Sequence, residues 1–399
     1  MKISFAAVLV LVLGAGNISN SPGSAPVHKA VFAAGATSTG WIGFDFYDEK
    51  HIFIPAKVNG HDAMVLLATG LPVPDIDKAF AAAIGVEPKE NPASSAQSEH
   101  DSAPTVRGLQ IQIGNLNLQD LSASVVDLSP LAKNMGHTLP LLIGDDSFDD
   151  LVLDIDFARQ RLEFRNPASL VKPAGAAELP LTREHDEHLV PVSLEGAPSA
   201  EFELGLGNSG EMLVYESYYH LHKVLEGKRS SQRLAAGTGG FVPEPVATLK
   251  QVKFAGTELS SMPAAFIPAS LTPGLPNSIS GDIGLPVLAR FHLIIDYAHD
   301  RLYAIPYPQI LRKPFPKDRL GLTLNKQDSG FIVRFVAPHS PAESAGFKVG
   351  DRITLIAGKP AGEWTETALG DLRYRPSRSN LAFTMEGGIL RHVKLADYF

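Results

Sequence analysis

The chain has 399 residues, room for two or three domains with cores of their own. Its formal charge of −8, with no basic run, argues against a nucleic-acid binder, which needs a Lys/Arg-rich surface. There is no cysteine, which excludes a thiol nucleophile, thiolate metal sites and a lipid-modified N-terminal cysteine.

Lys2 followed by an apolar run over residues 3–16 has the layout of a signal peptide and is short for a membrane span. The expected location is therefore the periplasm or the outside of the cell. Residues 17–40 are rich in Ala, Ser, Gly and Pro and read as a flexible lead, so residues 1–36 are set aside as signal and lead. From Trp41 short apolar runs of strand length begin, among them Ile52-Phe53-Ile54 and Met64-Val65-Leu66-Leu67. Asn59-Gly60 is a turn signal between them, so 58–70 reads as a hairpin whose second strand ends in Ala68-Thr69-Gly70. Residues 77–84 favour a helix stopped by Gly85, and 87–105 look like a polar loop. Alternation returns at 109–113, then come Leu142-Ile143-Gly144 and two apolar strands within 151–164. Residues 166–188, with Pro, Ala, Gly and charge, read as a linker.

After the linker the same order of features returns, an internal repeat. Asp156-Phe157-Ala158-Arg159-Gln160-Arg161-Leu162 matches Asp296-Tyr297-Ala298-His299-Asp300-Arg301-Leu302, and Ile143-Gly144 matches Ile283-Gly284 at the same offset. Leu204-Gly205-Leu206-Gly207 falls where a second Leu67-Ala68-Thr69-Gly70 belongs, and 250–256 echoes 110–114.

The strand-loop motif and its repetition resemble the retropepsin-like and pepsin-like aspartic proteases, in which apolar-apolar-Asp-Thr-Gly occurs once per lobe. The resemblance covers about residues 41–307. It implies a mainly β fold with acid-protease β-barrel lobes at 41–165 and 189–307. Each loop would be supported from beneath by an apolar-apolar-Gly segment, here Ile143-Gly144 and Ile283-Gly284, with flap hairpins near 93–108 and 236–247. Thr69, Gly70 and Gly207 would be loop-support residues. The aspartates themselves are replaced by Ala68 and Gly205, and Leu206 stands for the second threonine. A methyl group and a hydrogen cannot share a proton over a water, so the expectation is a pseudo-protease that binds polypeptide without cutting it. An active endopeptidase with relocated carboxylates and a PDZ adaptor using the lobes as scaffold are the alternatives. Asp75 and Asp77, shortly after the first loop, and Glu203, two residues before Gly205, are the candidates for relocation. Asp145, Asp146 and Asp282 read as turn or solvent residues.

Pro306, Pro308, Pro314 and Pro316 form a stiff linker. Ser340-Pro341-Ala342, Ala345-Gly346-Phe347 and Gly350-Asp351-Arg352-Ile353 then resemble bacterial PDZ domains, so 318–399 is expected to be one. That resemblance places a peptide-binding loop at Leu320, Gly321, Leu322 and Thr323, with a groove-lining helix near 365–374. The implied partners are polypeptide segments or protein C-termini. No cofactor is expected. His185/His188 and His220/His222 lack a zinc spacing and read as solvated surface residues.

Overall fold

The computed structural model describes residues 29–71, 73–89, 103–184, 187–237, 240–327, 330–364 and 366–399. The chain is mainly β, with a β-barrel body and a PDZ domain. The signal-like run, the first half of the lead, and most of the first expected flap lie outside the described residues.

The expected hairpin forms from His51–Val58 and His61–Leu67, with Val58 opposite His61. Asn59 and Gly60 both take positive φ (48° and 85°), the pair that a tight two-residue turn needs to match strand twist. His61–Leu67 then runs parallel to Leu141–Ile143, placing Leu66 beside Leu142 and Leu67 beside Ile143. Asp75–Asp77 crosses antiparallel on the other side of Leu141–Ile143. The helix Lys78–Ala83 begins where Asp77 caps it, its carboxylate accepting the N–H groups of Ala79 and Phe80. In the second half Ala200–Gly205 runs parallel to Ile279–Gly284, and Met212–Tyr215 crosses it antiparallel. The two halves therefore thread their strands in the same order around the same kind of loop.

A six-stranded antiparallel sheet joins the halves, with strands from both at its centre. Val152–Asp156 pairs with Phe291–Asp296, setting Val152 opposite Asp296 and Ile155 opposite Leu293. The repeated Asp-x-x-x-x-Arg-Leu segments make the same corner. Asp156 and Asp296 have φ,ψ of −99°, 86° and −97°, 84°, and Gln160 and Asp300 both turn left-handed. Burial opposes charge on Asp156, yet bonds from Arg159 (2.9 Å), Tyr307 (2.9 Å) and Arg161 (3.2 Å) keep its pKa below the usual carboxylate value.

Two expectations about irregular chain are corrected. Lys29–Phe32, in the presumed lead, is a strand on the edge of the first sheet against Leu116–Val126. Residues 166–188 are no bare linker either, because Ala177–Pro180 joins the six-stranded sheet and Thr182–Glu184 pairs with Glu187–Leu194. In the first of these strands only Leu179 is buried, too short an apolar signal for sequence reading.

The proline segment is pinned as well as stiff. Arg290 lies 3.6 Å over the Phe315 ring and donates to the Ile310 and Lys313 carbonyls. The PDZ sheet follows, ordered Leu322–Gln327, Gly330–Val336, Arg352–Ile356, Asn380–Met385, Leu390–Lys394. Its end is tied to the second half. Thr248 Oγ1 donates to the Phe399 carbonyl at 3.1 Å, Ser231 Oγ to the Pro338 carbonyl, and Arg229 to the Asp397 carbonyl. Phe399 packs against the buried cluster that includes Leu189, Leu213 and Tyr215.

Candidate functional site

Ala68 directly follows the strand His61–Leu67 and Gly205 ends the strand Ala200–Gly205, and the two loops that follow abut. A Cβ on Gly207 would lie 3.1 Å from the Ala68 Cα. Thr69 ties the loops together: its hydroxyl donates to the Leu204 carbonyl at 2.7 Å and accepts the Leu206 N–H at 2.8 Å. The tie is one-sided, since Leu206 has no hydroxyl to return and is itself buried. Ile143-Gly144 and Ile283-Gly284 pass under the loops so closely that a Cβ at either glycine would overlap a backbone oxygen of the loop above it. That oxygen belongs to Leu71 at Gly144 and to Gly210 at Gly284. Gly70 takes φ +93°, which favours glycine.

The surroundings of the two loop positions differ. Ala68 belongs to a buried apolar cluster with Phe53, Leu66, Leu71 and Leu142. Beside Gly205 the environment is acidic. The Asp282 carboxyl fills the space a Gly205 side chain would take, with Oδ1 2.1 Å from an ideal Cβ there. Asn208 Nδ2 donates to it at 3.0 Å. Glu203, lateral partner of Asp282 in the parallel pair, accepts the Tyr215 hydroxyl at 3.2 Å. Glu187 reaches in from the segment expected as a linker, its Oε2 3.8 Å from a Cβ built on Gly70. Asp282 is thus buried and structural, which corrects its assignment as a turn or solvent residue. The leucine at the equivalent position of the first half, Leu142, gives no hint of a carboxylate, so the sequence repeat hid it. Glu187 and Tyr215 were also missed, because nothing near them in sequence marks a site.

Burial pushes the Asp282 carboxyl up to about 7, against the bond from Asn208. Burial, with the Glu203 and Asp282 charges, also pushes the Tyr215 hydroxyl well above its usual value. Asp282 therefore binds its proton more tightly folded than unfolded. Its contribution to stability is fully present below about pH 4, falls as pH rises to about 7, and is flat above. His51 acts oppositely: burial, then Lys50 and His137, lower it to about 4, so its contribution is lost as pH falls below about 6.5. Urea unfolding between pH 4 and 7 should show Asp282→Asn losing less stability, or gaining more, as pH rises than the unaltered protein does. The same pH dependence in both proteins would locate the titration elsewhere.

Of the histidines, His188 is buried with its ring 4.8 Å from Tyr297, contrary to a surface role, while His220 is exposed. His185 lies outside the described residues. Among the described residues no group of three His, Asp or Glu could hold a metal ion. The second expected flap is a hairpin of Ser230–Gly237 and Gly240–Leu249, its tip at 238–239 outside the described residues.

In the PDZ domain, Leu320 and Gly321 lead into Leu322–Gln327, an edge strand that among the described residues pairs only with Gly330–Val336. Gly321 takes φ +75°, and a Cβ there would meet Ser340 at 2.2 Å, so the loop requires glycine. The helix Glu366–Arg373 faces this strand across a groove. The groove opens into a cavity of about 1190 Å³ whose far wall comes from the β-barrel body, including Phe46, Glu211, Arg233 and Ala264. This open space is at the junction, and neither Ala68 nor Gly205 lines it.

An edge strand, a glycine loop and a facing helix define a peptide-binding module of the strand-addition kind. The PDZ domain model matches residues 309–385. The chain matches no curated protein.

Proposed function

We propose that the chain is a non-catalytic polypeptide-binding protein of the periplasm or cell exterior, built from two retropepsin-like lobes and a PDZ domain that carries recognition. The observation that carries this reading is the PDZ groove opening into the large cavity while Ala68 and Gly205 are buried without carboxylates of their own. The lobe assignment is supported by the matching strand order around both loops, the glycines packed beneath them and the Thr69 bridge. Leu71 and Leu206, both buried, close the space where a cleft would need to admit a chain, which favours the lobes as a wall and support for the PDZ groove.

A second reading is favoured by one feature, the Asp282 carboxyl standing in the place of a Gly205 side chain with Glu203 beside it. A working endopeptidase would need a partner carboxylate from the first lobe, where Ala68 is surrounded by Leu66, Leu71 and Leu142 and the buried Asp75, paired with Leu142 in the neighbouring strand, is the candidate carboxylate. The discriminating measurement is incubation of the purified protein with unfolded casein from acidic to neutral pH. Retention of casein in a pull-down without new fragments is expected. Fragments that disappear with pepstatin or in Asp282→Asn would establish the enzyme instead.

A further inference from the structure

The part of the PDZ groove that would receive the last residue of a chain is already filled from within. Asp318 Oδ1 accepts the N–H groups of Leu320 (2.8 Å) and Gly321 (3.0 Å), the donors that a terminal carboxylate would need. Further along the strand, the Leu322 carbonyl accepts from Arg373 Nη2 at 3.4 Å. Tyr398, itself buried, lies against the same Asp318 carboxyl. Arg319 N–H donates to the Arg373 carbonyl (2.9 Å), and Ala396 N–H to the Arg319 carbonyl (3.3 Å), which fixes the loop between the facing helix and the terminal segment.

We infer that this groove takes an extended internal segment of a polypeptide, with main chain continuing at both ends, rather than a free C-terminus. The inference rests on the polypeptide-binding reading and names the form of the partner. A terminal carboxylate arriving at Leu320-Gly321 would find both N–H groups engaged and would stand beside a carboxylate of like charge. It would have to break the Asp318 bonds and desolvate a second anion in a half-buried loop. An internal segment meets no such obstacle. It adds to the edge strand at Thr323, Leu324 and Asn325, beyond the filled end, where hydrogen bonding to the backbone does not depend on chain ends. The geometry of the cavity suits it too. Leu324 and Leu369 line the groove, and the cavity extends past them to Leu234 and Ala264 of the β-barrel body, so a chain leaving the groove has space in which to continue.

The test uses the full chain and two matched arrays of random decapeptides, one synthesised with a free C-terminal carboxylate and one with a C-terminal amide. Amidated peptides are expected to bind as well as their free-acid twins, within about threefold, or better. Asp318→Ala, with Asp318→Asn as the variant that keeps an acceptor and loses the charge, is expected to raise the affinity for free-acid peptides by tenfold or more. Leu369→Arg, on the groove wall, is expected to abolish binding of both arrays. A tenfold preference of the unaltered protein for free acids, or no gain in either folded Asp318 variant, overturns the inference and leaves the polypeptide-binding reading standing. Binding unaffected by Leu369→Arg places the peptides elsewhere and overturns it as well. Failure of both arrays to bind overturns the inference and the reading together.

Discussion

Gly205→Asp is expected to destabilise the protein by at least about 3 kcal/mol and to yield no peptidase. On a family pattern the substitution looks like half of a repair. In this molecule it is a collision, because the new Cβ would fall 2.1 Å from Asp282 Oδ1 and 2.6 Å from its Cγ. The volume that an aspartate would need is the volume Asp282 occupies, reached from the neighbouring strand. Even after the side chains rotate apart, two carboxyls would share one buried space with one amide donor, that of Asn208. Both cannot ionise there, and the strand pair Ala200–Gly205 and Ile279–Gly284 would have to spread to hold them. The collision has a specific remedy. Asp282→Leu installs the residue found at the equivalent place in the first half, Leu142, and vacates the site. Urea unfolding of the two single variants and the double variant should give a coupling free energy of about 2 kcal/mol or more in favour of the pair. Gly205→Asp unfolding like the unaltered protein, or gaining nothing from Asp282→Leu, would mean that the two positions do not compete for one volume.

What the sequence disclosed was what is local or repeated. Asn59-Gly60 announces its turn, Asp77 its helix, and Gly346 and Gly350 the turns around Pro341–Ser344, because each signal and its consequence lie within a few residues. The matched segments at 156–162 and 296–302 fold into matched corners, so the repeat predicted a shared geometry without needing to say where the copies meet. What stayed hidden is what only meets in space. Thr69 bonds residues more than 130 positions away. Asp282 serves Gly205 across a strand pair, and Glu187 enters from a segment whose polar composition reads as linker. Ala177–Pro180 becomes a strand only because Arg301–Pro306 offers it an edge. The PDZ loop illustrates both cases. Its position and its glycine were legible, yet the engagement of its N–H groups by Asp318 depends on a loop geometry that Tyr398, from the far end of the domain, helps to hold.

Gly284→Ala is expected to be among the costliest methyl groups that could be added at the described glycines, about 3–5 kcal/mol. Backbone conformation is not the reason, since Gly284 has φ −87° and ψ 171°, which alanine adopts freely. The reason is space. The methyl would sit 1.8 Å from the Gly210 carbonyl oxygen and 3.0 Å from the Asn208 side-chain amide. Because the obstacle is backbone, no rotamer change relieves it, and the 208–211 turn must lift. That movement would break the Leu285 N–H bond to the Asn208 carbonyl (2.9 Å) and the Gly284 N–H bond to the Glu211 carbonyl (3.0 Å). It would also withdraw the Asn208 amide from Asp282 and leave a buried carboxyl without that donor. Gly144→Ala in the first half, 1.9 Å from the Leu71 carbonyl oxygen, should cost a similar amount less the share due to a buried acid. Gly43→Ala, with nothing within 4 Å of its added methyl, should stay within about 0.5 kcal/mol of the parent and controls for the substitution itself. Urea midpoints ordered Gly43→Ala, Gly144→Ala, Gly284→Ala from most to least stable are the expected result. Equal midpoints for Gly284→Ala and Gly43→Ala would mean that the loop carrying Gly205 is not packed down on Ile283-Gly284, and with it would go the claim that the two halves support their loops in the same way.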